Sequence, residues 1–158
     1  MKHRLGANGP WTDRKAIDGH AVATAVITSP DQEILLVHHR LHRVWWPPGG
    51  HLEMVDDTLS GAALREAVEE AGLDPGSMTL AAPHPIDVEV TAVPANPAKG
   101  EGTHKHLDFR YWFSAPRLPL RPQEDEVHDV AWRPIDDLAD YGSWFGSRCG
   151  GKFESHGY

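Results

Sequence analysis

Glu66, Glu69 and Glu70 stand at i, i+3 and i+4, so a helix through them makes their side chains neighbours. Like charges at that spacing weaken a helix by roughly 0.2–0.5 kcal/mol a pair, and partial burial raises the repulsion to roughly 4 kcal/mol at ~4 Å. A cation would offset that cost. Arg65 is expected to neutralise only one carboxylate, and no second basic residue lies between Leu59 and Gly72. Three carboxylates suit a hard divalent ion with oxygen preference, Mg2+ or Mn2+, better than they suit zinc. The competing reading is a solvated acidic helix face, the commoner meaning of a glutamate cluster taken alone. Gly49-Gly50 tips the balance toward the ion, because a double glycine sets exposed carbonyls and a tight turn just ahead of the carboxylates.

The helix that must carry these groups is well marked. Asp56-Asp57-Thr58 offers an N-cap, Leu59 to Ala71 is made of helix formers, and Gly72 is placed as a C′ residue. At about 100° per residue, Ala63, Leu64, Ala67, Val68 and Ala71 fall within an arc of roughly 140°, with the glutamates in a separate arc of roughly 100°. One side is expected to bury and the other to gather the three carboxylates.

Strands surround the helix. His20 to Thr28 and Glu33 to His39 are β-branched and apolar runs around the turn Ser29-Pro30-Asp31-Gln32, which predicts a hairpin. The prolines and glycines of Val44 to Gly50 end regular structure. Asp87 to Val93 and Leu107 to Ala115 alternate as strands. In the second, Leu107, Phe109, Tyr111 and Phe113 share one face and Asp108, Arg110 and Trp112 the other. Glu126 to Trp132 predicts a final strand, and Pro134 to Leu138 the start of a short helix. Residues 1–18 are expected to form an N-terminal arm, and the glycine-rich stretch 142–158 a loosely ordered tail on a single domain spanning 1–158. Strands around a strong helix predict an α/β or α+β domain with a mixed sheet.

Composition narrows the function classes. With 158 residues and one cysteine, the chain suits one domain and cannot form an internal disulfide. A formal charge of −8 argues against nonspecific nucleic-acid binding, whose affinity comes from Lys and Arg neutralising phosphates. No run approaches the ~20 apolar residues of a membrane span, and no signal peptide follows Met1, so a cytoplasmic protein with no membrane partner is expected. His38-His39 with His42, and His104 with His106, invite zinc. With a single cysteine and no His-x3-His helix the ligand sets look incomplete, and zinc is set aside.

The segment Gly50 to Leu73 resembles the Nudix box, written G-x5-E-x7-R-E-U-x-E-E-x-G-U, with U a bulky aliphatic residue. Gly50 matches the opening glycine, Arg65-Glu66 the R-E pair, Glu69-Glu70 the E-E pair and Gly72-Leu73 the close. Fourteen residues separate Gly50 from Arg65 where the pattern has thirteen, so one residue is inserted before the helix. The first acidic position is filled by Asp56 or Asp57, and Ala67 stands where a bulky aliphatic is usual. The insertion leaves open which aspartate pairs with Arg65.

The resemblance implies a Nudix-type α/β/α sandwich with a mixed central sheet. It also implies Mg2+-dependent hydrolysis of a pyrophosphate linkage in a nucleoside diphosphate-X or nucleoside triphosphate, with Mn2+ as an alternative ion. Glu66, Glu69, Glu70 and the Gly50 carbonyl would hold the metal, and Arg65 would orient carboxylates, with Glu53 as a candidate for the same network. The general base would be Glu66 or Glu69, or Glu126 from the acidic run before the last strand. Trp45, Trp46, Arg110, Trp112 and Lys99 are candidate substrate contacts, each with a plainer role in packing or on an exposed surface. The implied partner is a small nucleotide, and a homodimer is compatible with the sequence. The alternatives are a Nudix-fold regulatory module that binds a nucleotide without turnover, and a diphosphate isomerase. The isomerase needs an active-site cysteine, and none precedes Cys149.

Overall fold

The computed structural model describes residues 19–40, 43–97, 100–123 and 127–136. The N-terminal arm, the tail with Cys149, His42, Lys99 and Glu126 lie outside the described residues.

The described strands are β1 (His20–Thr28), β2 (Glu33–His39), β3 (Trp45–Trp46), β4 (Gly49–His51), β5 (Thr79–Leu80), β6 (Asp87–Val93), β7 (His104–Ser114) and β8 (Val127–Pro134), with α1 (Leu59–Ala71) between β4 and β5. They form one mixed sheet. β7 runs parallel to β1 over nine register pairs, from His20 opposite His106 to Thr28 opposite Ser114. Its other edge is antiparallel to β6 from Asp87 opposite Arg110 to Val93 opposite His104.

The expected hairpin forms only at its neck. Thr28 faces Ile34, the Ser29 N–H donates to the Glu33 carbonyl at 2.9 Å, and Gln32 turns the chain at φ 57°. Beyond that point β2 diverges to pair with β8, and β1 takes β4 at Val22, Ala23 and Thr24.

Alternation along β1 builds two apolar layers. Ala21, Ala23, Ala25 and Ile27 meet Ala62, Ala63, Ala67 and Ala71 of α1, all buried, and the run of alanines lets the helix lie close to the sheet. The opposite face holds Val26 with Ile34 and Leu36, flanked by Trp45, Ile86, Trp112 and Ile135. Burying each Val, Ile or Leu contributes roughly 1.5–3 kcal/mol relative to leaving it in water.

The caps of α1 fall where the sequence places them. The Thr58 hydroxyl accepts from the Gly61 N–H at 3.0 Å, and Gly72 closes the helix at φ 65° with its N–H on the Val68 carbonyl at 3.0 Å. α1 is the α-helix among the described residues. Of the helix expected from Pro134, Pro134 itself ends β8, and residues beyond Asp136 lie outside the described part. No helix among the described residues is long and apolar enough to cross a membrane.

Candidate active site

The carboxylates do not share one exposed face. Glu66 and Glu70 are 8% and 2% exposed, on the side of α1 that meets the sheet, whereas the Glu69 side chain is 46% exposed. The expected division into a burying arc and an acidic arc is therefore corrected, and the cause is Gly49-Gly50 in β4. A Cβ built on Gly50 would stand 2.5 Å from Glu66 Oε1, so only a bare backbone lets the carboxylate lie there. The Gly49 N–H donates to Glu70 Oε2 at 3.1 Å. The paired glycines thus let backbone take the place of solvent around two ionisable groups.

Arg65 ties this assembly together. Its Nε and Nη2 grip Asp56 at 3.1 and 3.0 Å as a fork, Nη1 donates to Glu66 at 3.0 Å and Glu69 at 2.9 Å, and Nη2 also reaches the His51 carbonyl at 2.9 Å. The expectation that Arg65 neutralises a single carboxylate is corrected. A planar guanidinium with five N–H groups can serve three at once, where an ammonium could not. Burial works to discharge Arg65, but the hydrogen bond to Asp56 and the charges of Glu66, Asp56 and Glu69 outweigh it and hold the group protonated above the ordinary arginine value.

The structure also shows which aspartate pairs with Arg65. Asp56, with its side chain 4% exposed, receives the fork, and its Oδ2 also accepts the Glu53 N–H at 2.7 Å. Glu53 therefore supports the loop through its backbone, with its side chain exposed. The extra residue is absorbed between Asp56 and the helix, so the spacing of Glu66, Glu69 and Glu70 on α1 is intact. Neither the Gly49 N–H nor the His51 carbonyl was singled out in advance; the double glycine was the available signal for the first.

Trp45, Arg110 and Trp112 lie on the opposite face of the sheet, whereas Trp46, opposite Val37, is on the α1 face. Arg110, 4% exposed, meets Asp87 at 2.8 Å and Asp108 at 2.8 Å and also pairs with Glu89, so a phosphate reaching it would have to displace a carboxylate. Burial pushes the Asp108 carboxyl up, against the opposing pull of Arg110 and a Thr24 hydrogen bond. Trp112 donates from Nε1 to the Thr28 hydroxyl at 2.8 Å and packs on the Val26 layer with Trp45. Trp45 also lies beneath the Arg133 guanidinium, 4.8 Å from its ring centroid. Trp46, beside it, is 42% exposed.

The family model for the NUDIX domain matches residues 19–148. The chain is 31% identical over 108 residues to a probable DHNTP pyrophosphohydrolase of Lactococcus lactis, a match covering 68% of this chain and 58% of that relative. Among solved structures, a NUDIX-family hydrolase from Clostridium perfringens aligns with TM-score 0.60 and 24% identity over 78% of this chain and 86% of its own. The dihydroneopterin triphosphate pyrophosphohydrolase of E. coli aligns with TM-score 0.65 and 17% identity over 82% and 90%. Both likenesses concern the fold. With box, sheet and helix in register, the chain belongs to the Nudix domain family.

Proposed function

We propose that the protein hydrolyses a pyrophosphate linkage in a nucleoside diphosphate-X or nucleoside triphosphate, with Mg2+ as cofactor and Mn2+ as a substitute. The carrying observation is the pair of buried carboxylates, Glu66 and Glu70, seated against glycine backbone beside Glu69. One guanidinium serves Asp56, Glu66 and Glu69, so carboxylates outnumber the cation, and an all-oxygen donor set with a backbone cradle fits a hard divalent ion. Glu66, Glu69, Glu70 and the Gly50 carbonyl would hold it. When bound, such an ion neutralises the diphosphate and acidifies the attacking water.

The chain's own residues divide the remaining work. Arg65 fixes Glu66, Glu69 and the Asp56 loop in one arrangement, a positioning role. Glu66 or Glu69 takes the proton from water, or Glu126 does so from the acidic run just ahead of Val127. Trp46, more open than Trp45, is the better placed of the two to stack on a base. Arg110, Trp112 and Lys99 remain candidate contacts for the rest of the substrate. The likeness to a relative described as a probable pyrophosphohydrolase supports the reaction type.

The test is product analysis over nucleoside triphosphates, nucleotide sugars, ADP-ribose and dinucleoside polyphosphates, with and without Mg2+, for the full chain and Glu70→Gln. Turnover should require the ion and fall roughly 100-fold or more in the variant, since even partners one shell out from a metal cost about 10–100-fold. Nucleotide binding without turnover, with or without Mg2+, would overturn the hydrolase reading.

A further inference from the structure

We propose that His20, His104 and His106, with the His51 ring beside them, form a second metal site, one for a divalent transition ion of the zinc type. The four residues come from three strands: His20 opens β1, His51 ends β4, and His104 and His106 open β7. Register brings them together, since His20 lies opposite His106 and the next same-face residue of β1, Val22, lies opposite His51. The rings of His104, His106 and His51 stand 4.8, 4.8 and 4.9 Å from that of His20. The His51 and His106 rings meet edge to face at 5.1 Å.

The donor geometry is that of a binding site. One ligand nitrogen from each of His20, His104 and His106 lies within 4.8 Å of the other two. His104 Nε2 and His106 Nε2 are hydrogen-bonded at 3.2 Å, and an ion replacing that shared proton would find them close to the ~3.4 Å edge of a tetrahedron with bonds of about 2.0–2.1 Å. His104 Nδ1 sits 2.7 Å from the Gly102 carbonyl. Donating there fixes the tautomer and aims the lone pair of Nε2 inward, as an outer partner does for a metal-bound imidazole. His20 and His104 are 1% and 6% exposed, so the cluster is built into the fold.

The chemistry separates this site from the carboxylate one. Imidazole nitrogens select zinc, copper or nickel over Mg2+, whereas the α1 site offers oxygens to a hard ion. β4 also divides them, with Gly50 turned toward Glu66 and the next residue, His51, in ring contact with the histidine cluster. The ligands that sequence spacing could not supply would come from strands remote in sequence from His104 and His106.

The full chain, stripped with chelator and held in excess Mg2+, should bind one Zn2+ per chain by calorimetry, with a rise in Tm. Co2+ in place of Zn2+ should give the intense visible bands of a four-coordinate site, with three histidines and a fourth ligand. Glu70→Gln should keep both signals. His104→Gln and His106→Gln, checked for folding by circular dichroism, should weaken binding at least 100-fold and lose the Co2+ bands. No binding at micromolar Zn2+, binding unchanged in both histidine variants, or binding lost in Glu70→Gln would overturn the proposal. Should a variant not fold, a wild-type Co2+ spectrum with only weak six-coordinate bands would overturn it as well.

Discussion

Gly50 shows how one missing side chain can decide a site. Gly50→Ala puts a methyl 2.5 Å from Glu66 Oε1, and the flexible carboxylate is what must yield. The fold should survive, with Tm close to that of the parent, while hydrolysis falls roughly 100-fold, because displacements of ~1 Å in a reacting constellation cost about that much. Melting curves and initial rates under saturating Mg2+ separate the two effects. Arg65→Lys makes the complementary test. A lysine keeps the charge but cannot fork onto Asp56 while bridging Glu66 and Glu69, so urea unfolding should show a loss of about 1–3 kcal/mol despite the conserved charge.

The elements differ in how far local sequence determined them. β1, β2, α1 and β6 begin and end where apolar runs, the Thr58 cap and Gly72 place them, because their signals are local. Thr58→Ala should cost about 1 kcal/mol in urea unfolding by removing the acceptor for the Gly61 N–H, and Thr58→Ser should recover most of it. Where pairing is nonlocal the sequence ran short. β7 starts at His104, ahead of the expected Leu107, because Val93 of β6 draws the polar His104-Lys105-His106 run into the ladder. β3 and β4 were hidden by the prolines and glycines around them. Helical periodicity separates Glu66 and Glu70 from the burying arc because it cannot see the glycine backbone that covers them. The divergence of β2 from β1 has the same origin, since β8 competes for β2 from far along the chain.

For the whole molecule, burial of one phenol is expected to shape the alkaline side of the stability profile. Burial pushes the Tyr111 hydroxyl above its ordinary value of 10.0. From about pH 10 upward the unfolded chain loses that proton while the folded one keeps it, so stability falls with rising pH through this range. Tyr111→Phe should remove this contribution and flatten the alkaline limb of a urea-midpoint profile. An unchanged limb would show that other groups control it.

The parallel seam between β1 and β7 has a consequence for how the chain comes off the ribosome. A strand near the amino end whose neighbour lies beyond most of the domain cannot be paired by any short loop, so that closure is slow. Until His104–Ser114 has emerged, a nascent chain presents the edge of His20–Thr28 with its unmet N–H and C=O groups and its small apolar residues. The stage most exposed to mispairing with a second nascent copy is therefore the interval between the emergence of β1 and the emergence of β7.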